Sequence, residues 1–96
     1  MVNQGDIIKV EGIKLNMLVV SRNIINENEV CIVVPFSSNF CESVTHIENA
    51  LSKELLIIEQ LRYIDLTTRF YKKLGILSLE EMQNIVDIVQ GLFDII

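Results

Sequence analysis

The strongest local pattern in the sequence is a single amphipathic helix near its C-terminal end. Ser78 is followed three residues later by Glu81, which is the spacing of a capping box, where each residue satisfies a backbone N–H of the other. Beyond it, apolar residues recur at intervals of three and four, as in a helix that buries one face: Met82, Ile85, Val86, Val89, Leu92, Phe93 and Ile96. One helix cannot bury such a face alone, so the preceding residues must supply the other layer of the core.

Short apolar segments separated by polar turns precede this helix, which is the pattern of β-strands. We predict strands over residues 4–10, 14–21, 29–35, 44–48, 55–61 and 67–74. Residues 62–65 either extend the fifth strand or bend away from it. The connections are short, which favours antiparallel pairing. The sequence therefore predicts an α+β fold, in which five or six short, twisted strands curl into a partly closed barrel and one helix follows.

Several residues set the expected ends of these strands. Pro35 cannot donate a ladder hydrogen bond and is expected to end the third strand. Residues 23–28 are polar and predict a hairpin loop, although Ile24 and Ile25 interrupt it and are interpreted as packing back on the sheet. Gly75 is expected to end the sixth strand.

Length and charge limit the classes of function. The 96 residues predict a single domain, 1–96, and half of them are hydrophobic. The net charge of −5 argues against a protein that coats nucleic acid non-specifically, but it leaves room for a local basic groove. Apolar runs such as that at 17–20 are far too short to span a membrane, and the N-terminus shows no secretion signal. We therefore expect a cytoplasmic protein that does not enter membranes.

The cysteines predict neither a metal site nor a disulfide. Cys31 lies in an apolar run and is interpreted as a small core residue, whereas Cys41 lies in a predicted loop. Two cysteines ten residues apart do not make a metal motif, so we expect no metal and no cofactor.

The order of motifs resembles the MazF/PemK family of toxin endoribonucleases. The matching blocks are QGDII at 4–8, MLVVSRN at 17–23, IVVPFSS at 32–38, THIE at 45–48, IEQLRYID at 58–65 and LGILS at 74–78. The blocks cover nearly the whole chain in the family's order. The resemblance implies an SH3-like β-barrel, which this family shares with the gyrase poison CcdB, and a homodimer inhibited by an acidic antitoxin.

The resemblance also implies cleavage of single-stranded RNA at its own 2′-hydroxyl without a metal ion. Ser37 matches the family's threonine or serine after the third strand. The family's arginine does not match, because Leu15 and Asn16 stand where Arg-Pro is expected, and the first loop is shortened. We therefore expect catalysis by Ser37, which orients or protonates, and by Arg62 and Lys14, whose charges stabilise the phosphorane. The residues expected to bind RNA are Ser38, Gln60, Lys9 and Arg22.

Each of these residues also has a purely structural interpretation. Ser37 and Ser38 are common turn residues. His46, the only histidine, lies on a predicted strand and is interpreted as structural. Glu59 pairs with Arg62 in one interpretation, and Gln60 and Arg62 line a groove in the other. The basic residues at 69, 72 and 73 are interpreted as a solvated edge, with contact to phosphates as the alternative. The apolar end of the helix either belongs to the core or sits in a dimer interface.

A second function therefore stands beside the ribonuclease. The missing arginine and the short loop favour a catalytically inactive homologue that binds and inhibits a host protein, as a CcdB-like or phage-type inhibitor would. The retained Ser37 and the block at 58–65 favour the nuclease. Fold alone does not decide between these two functions.

Overall fold

The structure is a computed structural model that describes residues 1–37, 46–48 and 54–93, the middle segment by its backbone alone. It contains seven strands: β1 (Asp6–Val10), β2 (Met17–Val19), β3 (Val30–Ser37), β4 (His46–Glu48), β5 (Leu55–Ile57), β6 (Arg62–Asp65) and β7 (Tyr71–Ile76). The helices are α1 (Asn23–Asn26) and α2 (Leu79–Gly91), and a 3₁₀ turn covers Ile58–Gln60. The predicted fifth strand therefore ends at Ile57, and residues 62–65 bend away as β6.

The strands form one antiparallel sheet in the order β4-β5-β3-β2-β1-β7, and β6 also pairs with β3. The sheet curls around an apolar interior, which confirms the predicted α+β fold with a C-terminal helix. Within the described residues, the strand pairing does not close the sheet into a complete ring. In the part of the chain that the structure describes, β4 and β7 are the ends of the path, and β6 pairs with a strand on one edge only.

Two apolar layers lie on opposite faces of the sheet. The inner layer fills the curl, with Ile8, Val10, Met17, Val19, Cys31, Val33, Ile64 and Leu66 at its centre. The outer layer lies between the sheet and α2, and comprises Leu18, Val20, Val34, Phe36, Leu56, Ile58, Met82 and Ile85. Odd residues of β3 thus face the inner layer and even residues face α2, as the two-residue period of a strand requires.

Pro35 lies inside β3 instead of ending it, so the prediction for its position was wrong. The strand continues for two further residues, to Ser37. Ile32 and Phe36 bond to the β2 side of the strand, through Val20 N–H to Ile32 O and Phe36 N–H to Asn16 O, both 2.9 Å. Odd residues therefore point their N–H groups to the other edge. There the neighbour changes from β6, which pairs up to Val33, to β5, which pairs from Phe36. Proline occupies a position where no ladder bond is needed.

A buried polar cluster holds the connection between β2 and β3. The Ser21 hydroxyl donates to Asn26 Oδ1 at 2.5 Å, and Asn26 Nδ2 donates to Ser21 O at 3.1 Å. The hydroxyl oxygen of Ser21 also accepts a hydrogen bond from Ile32 N–H at 3.0 Å. The hairpin connection was predicted correctly, but it contains the helical turn α1, and Ile24 and Ile25 point outward, 67% and 38% exposed. Asn26, which is fully buried, takes the inward position expected of the isoleucines.

The capping box at α2 is present as predicted. Glu81 N–H donates to Ser78 Oγ at 3.2 Å, and the Glu81 carboxylate accepts from Ser78 N–H. Met82 and Ile85 are the fully buried residues of α2, which confirms the core interpretation for the first half of the apolar face. The helix ends at Gly91, earlier than predicted, and residues 94–96 lie outside the described part.

The bounds of other elements also differ from those predicted. β7 includes Gly75, which was expected to end it and instead lies beside a register shift opposite Ile7 and Ile8. Cys31 is a core residue as predicted, and burial raises the pKa of its thiol to about 11. Cys41 lies outside the described residues, and of His46 only the backbone position in β4 is described. No helix in the described part of the chain is long and apolar enough to cross a membrane.

Candidate functional site

Ser37 is the last residue of β3, at the end of the strand that pairs with β5. It pairs with Leu55 and is 4% exposed. As an odd residue of β3, it shares the inner face with Cys31 and Val33. The strand register thus places the predicted catalytic serine at one rim of the curled sheet.

Leu15 lies opposite Ser37 in this register. The β2–β3 pairing continues past the end of β2, because Phe36 N–H donates to Asn16 O at 2.9 Å. The next pair along is Leu15 with Ser37, and its place in the alternation makes it a non-hydrogen-bonded pair, where side chains approach most closely. The position at which an arginine was expected from sequence is therefore adjacent to the serine, and a leucine occupies it.

Arg62 shares the inner face with Ser37. It is the first residue of β6 and pairs with Val33, so both side chains point to the same side of the sheet. Ser37 is four positions further along β3 than Val33, the partner of Arg62, which is about 13 Å along the strand. Arg62 is exposed, and no hydrogen bond or ion pair engages its guanidinium in the described structure. Its charge is available to an anionic ligand that extends along β3.

Lys14 is exposed on the loop that connects β1 to β2, and Lys9 holds that loop in place. Lys9 Nζ donates to the carbonyl oxygen of Ile13 at 2.7 Å and also to that of Lys14. Lys9 was predicted to bind RNA; the structure instead directs its ammonium group into the protein's own backbone. The Lys14 side chain therefore extends from a loop that Lys9 holds in place.

The remaining residues of the predicted site are not all brought together. Arg22 follows β2 at the opposite end of the sheet, level with Val30 and therefore about 23 Å along β3 from Ser37. Gln60 lies in the 3₁₀ turn between β5 and β6, partly exposed. Ser38 falls outside the described residues. Arg22 lies instead beside α2, in a shallow groove of about 390 Å³ that Met82 and Asp87 also line.

A second cleft, of about 420 Å³, runs along β6. All four β6 residues line it, together with Ile13, Thr68 and Arg69. Asp65 accepts hydrogen bonds from the Thr67 side chain at 2.6 Å and backbone at 2.9 Å, which lowers the pKa of its carboxyl, and the nearby Arg69 charge lowers it further. Arg69 had been assigned to a solvated edge; only the turn after β6 brings it close to Arg62.

The described residues contain no group of three or more His, Cys, Asp and Glu side chains arranged to hold a metal ion. The polar groups of the predicted site are the Ser37 hydroxyl, the exposed Lys14 ammonium and the exposed Arg62 guanidinium, which lies about 13 Å along β3 from Ser37. This combination can bind and polarise a phosphate, which carries its negative charge on oxygen.

Comparison with known proteins supplies the family. Residues 4–93 match the sequence profile of "PemK-like, MazF-like toxin of type II toxin-antitoxin system". No curated protein sequence matches the chain. Among solved structures, similarity is high to the MazE–MazF crystal structure of Deinococcus radiodurans in Form I, with a TM-score of 0.83 at 12% identity over 95% of this chain and 94% of the other. Forms III and II give TM-scores of 0.80 and 0.81, each at 14% identity over 95% of this chain and 94% and 93% of theirs.

Proposed function

The chain belongs to the PemK-like, MazF-like toxins of type II toxin–antitoxin systems, and on that premise we propose that it is an endoribonuclease that cleaves single-stranded RNA without a metal ion. The observation that carries the proposal is that Ser37 and Arg62 face the same side of the sheet, next to the loop that bears Lys14. Similarity of the fold to solved MazE–MazF structures supports this proposal.

The proposed reaction is transfer of the phosphodiester to the neighbouring 2′-hydroxyl. The 2′-hydroxyl gives up its proton to water, its oxygen forms a bond to phosphorus, the bond from phosphorus to the 5′-oxygen breaks, and that leaving oxygen takes up a proton. In this proposal the Ser37 hydroxyl orients the phosphate or supplies that proton. Arg62 and Lys14 stabilise the additional negative charge that develops on the phosphorane oxygens.

Partner and cellular location follow the same proposal. The similar solved structures are complexes of MazF with MazE, which supports an antitoxin as a partner of this chain as well. An acidic antitoxin segment would compete with RNA for Arg62 and Lys14. We further propose a homodimer that acts in the cytoplasm.

Incubation of purified protein with a long single-stranded RNA in EDTA tests the nuclease. The wild type is expected to cut at defined sites, and Ser37→Ala or Arg62→Ala to lower the rate by on the order of 10²-fold, the usual cost of losing one transition-state contact. Arg22→Ala is the matched control, because it removes the same charge from the other end of the sheet. No cleavage by the wild type at high enzyme excess would refute the proposal, as would an equal loss in all three variants.

A second candidate rests on Leu15. With leucine beside Ser37 in place of an arginine, a catalytically inactive homologue that inhibits a protein partner would be expected. Leu15→Arg distinguishes the two, because it places a guanidinium at the paired position. Cleavage by Leu15→Arg alone would favour the inactive homologue, with the leucine as its deficiency. Cleavage by the wild type, changed little by the substitution, would favour the nuclease with its charges supplied by Arg62 and Lys14.

A further inference from the structure

The cleft along β6 brings together an aromatic ring, a carboxylate and a guanidinium. Tyr63 and Asp65 are two residues apart in the strand, so their side chains leave the same face of it, about 7 Å apart. Both side chains line the cleft and are exposed, Tyr63 by 64%. Arg69 lines the same cleft from the turn after β6. A flat ring beside a charged acceptor and a charged donor of hydrogen bonds suits a planar, polar heterocycle.

The Asp65 carboxylate keeps half of its capacity to accept hydrogen bonds. The backbone N–H and the hydroxyl of Thr67 both donate to Oδ1, at 2.9 and 2.6 Å, and no hydrogen bond in the described structure engages Oδ2. Because these bonds and the Arg69 charge lower the pKa of the carboxyl, it is ionised at neutral pH. An ionised carboxylate only accepts, and both lone pairs of Oδ2 remain for a ligand. The turn therefore fixes Asp65 and leaves it open to two donors.

Arg69 and Asp65 select the kind of heterocycle. The two charges lie close enough to interact, yet no ion pair joins them in the part of the chain that the structure describes. A ligand between them must offer donors to the carboxylate and an acceptor to the guanidinium on neighbouring atoms. Guanine alone among the RNA bases has two adjacent donors, N1–H and N2–H₂, with the O6 acceptor beside them. Adenine, cytosine and uracil would each set an acceptor against the carboxylate.

Tyr63 and Arg62 supply the remaining contacts to a nucleotide. Aromatic rings stack on the bases of single-stranded RNA with little preference among them, so Tyr63 gives affinity and Asp65 gives selectivity. Arg62 is exposed at the start of β6, and its guanidinium suits a phosphate. It shares the inner face of the sheet with Ser37, about 13 Å along β3, so one RNA strand can contact both residues.

We propose that the β6 cleft binds a guanine base of single-stranded RNA, on the same strand whose phosphate meets Ser37. The base stacks on Tyr63, its N1–H and N2–H₂ groups donate to Asp65, and its O6 accepts from Arg69. The inference rests on the proposed action on RNA and adds which base is selected. Asp65 is thereby a specificity-determining residue and takes no part in bond cleavage.

Hexamers of 2′-O-methyl RNA, which cannot be cleaved at the 2′-hydroxyl, test the cleft by binding alone. One central nucleotide of a uridine hexamer is replaced by guanosine, adenosine, cytidine or inosine, and the dissociation constants are measured by calorimetry. The guanosine hexamer should bind roughly tenfold more tightly than each of the others. Inosine is the sharpest comparison, because it lacks only the 2-amino group of guanosine. Equal binding of guanosine and inosine, or tighter binding of another base, would overturn the proposal.

Asp65→Asn tests the carboxylate with little change of shape. The amide oxygen can still accept from Thr67, so the turn is retained, but the preference for guanosine over inosine should fall to about twofold or less. Asp87→Asn is the matched control, because it makes the same substitution in the groove beside α2 and should keep the preference. Tyr63→Ala should weaken all hexamers by a similar factor of roughly tenfold. A guanosine preference that survives Asp65→Asn would refute the assignment.

Two further comparisons separate the possible sources of guanine and the two proposals. Guanosine 5′-monophosphate should bind at least roughly tenfold more weakly than the guanosine hexamer, because it lacks the rest of the strand. Equal affinity would identify a free nucleotide as the ligand and overturn the assignment to RNA. Guanosine-dependent binding by a wild type that cleaves no RNA would refute the nuclease and support the cleft. Cleavage at sites without a nearby guanine would refute the cleft and support the nuclease.

Discussion

Asn26 provides a direct test of how the β2–β3 connection is held. The residue is fully buried, and truncation to alanine removes two hydrogen bonds, one from Nδ2 to Ser21 O and one to Oδ1 from the Ser21 hydroxyl. Both Ser21 groups then remain inside the protein without these partners. Each such loss costs about 1–3 kcal/mol, so Asn26→Ala should lower the free energy of unfolding by about 2–6 kcal/mol. A domain of this size has only about 5–15 kcal/mol in total.

Urea denaturation measures this loss. With an m-value of about 2 kcal/mol per molar urea, the midpoint should fall by roughly 1–3 M. Asn28→Ala is the matched control: it makes the same substitution two residues away at an exposed site, where a change within about 0.5 kcal/mol is expected. A loss under about 1 kcal/mol in Asn26→Ala, with a native spectrum, would refute the reasoning, because it would mean that the cluster contributes no more than a surface residue.

Three further predictions concern single positions. Gly5 and Gly12 have φ values of +97° and +87°, so substitution by alanine should destabilise the protein by roughly 1–2 kcal/mol at either position. The loss should be larger at Gly5, where the new Cβ would lie 3.3 Å from the Met82 side chain, and equal losses in thermal melts would contradict this effect of packing. Thr67→Val should raise the Asp65 pKa partway to 3.8 in an NMR titration, and an unchanged pKa would refute the hydrogen-bond explanation. A carboxyl whose pKa is lowered on folding contributes stability that is present above its unfolded pKa and is lost as the pH falls through its folded pKa. The variant should therefore lose less stability than the wild type between about pH 5 and 2. Because the pKa of Cys31 is raised to about 11, only about 10⁻³ of its side chain is thiolate at pH 8. Iodoacetamide should therefore label Cys31 in urea and not in the folded protein, as measured by peptide mass mapping. Rapid labelling of the folded protein would contradict the burial of Cys31.

The elements predicted well from sequence are those whose cause is local. The capping box of α2 needs only Ser78 and Glu81, three residues apart, and the hydrophobic period needs only the helix itself. The third strand was predicted on the same grounds, but its end was not. Whether Pro35 ends a strand depends on which neighbour lies beside it, and that neighbour comes from residues about 20–30 positions further along the chain. The residues of the third strand alone do not contain that information.

The candidate site shows the same division between local and long-range information. Ser37 was located by resemblance to the family's residue after the third strand, and the structure has it as the last residue of β3, two residues beyond the predicted end of that strand. Arg22 was grouped with it on charge alone, yet the strand register puts the two at opposite ends of the sheet. Arg69 was left out because nothing in the sequence relates it to Arg62; the turn after β6 brings both to one cleft. Charge and residue type can therefore be predicted from sequence, while spatial grouping depends on strand register.

The shared edge of β3 also affects how the chain folds during synthesis. β2 is already made when β3 emerges, so one edge can pair at once, but the other edge waits for β5 and then β6. Asp65 follows Ser37 by about 28 residues, which at about 5–20 residues per second corresponds to a delay of roughly 1–6 s. During that time an apolar strand has one edge bare, the condition under which nascent chains associate with one another. Pro35 interrupts that bare edge, and thereby makes β3 a poorer template for a second copy while the chain is still incomplete.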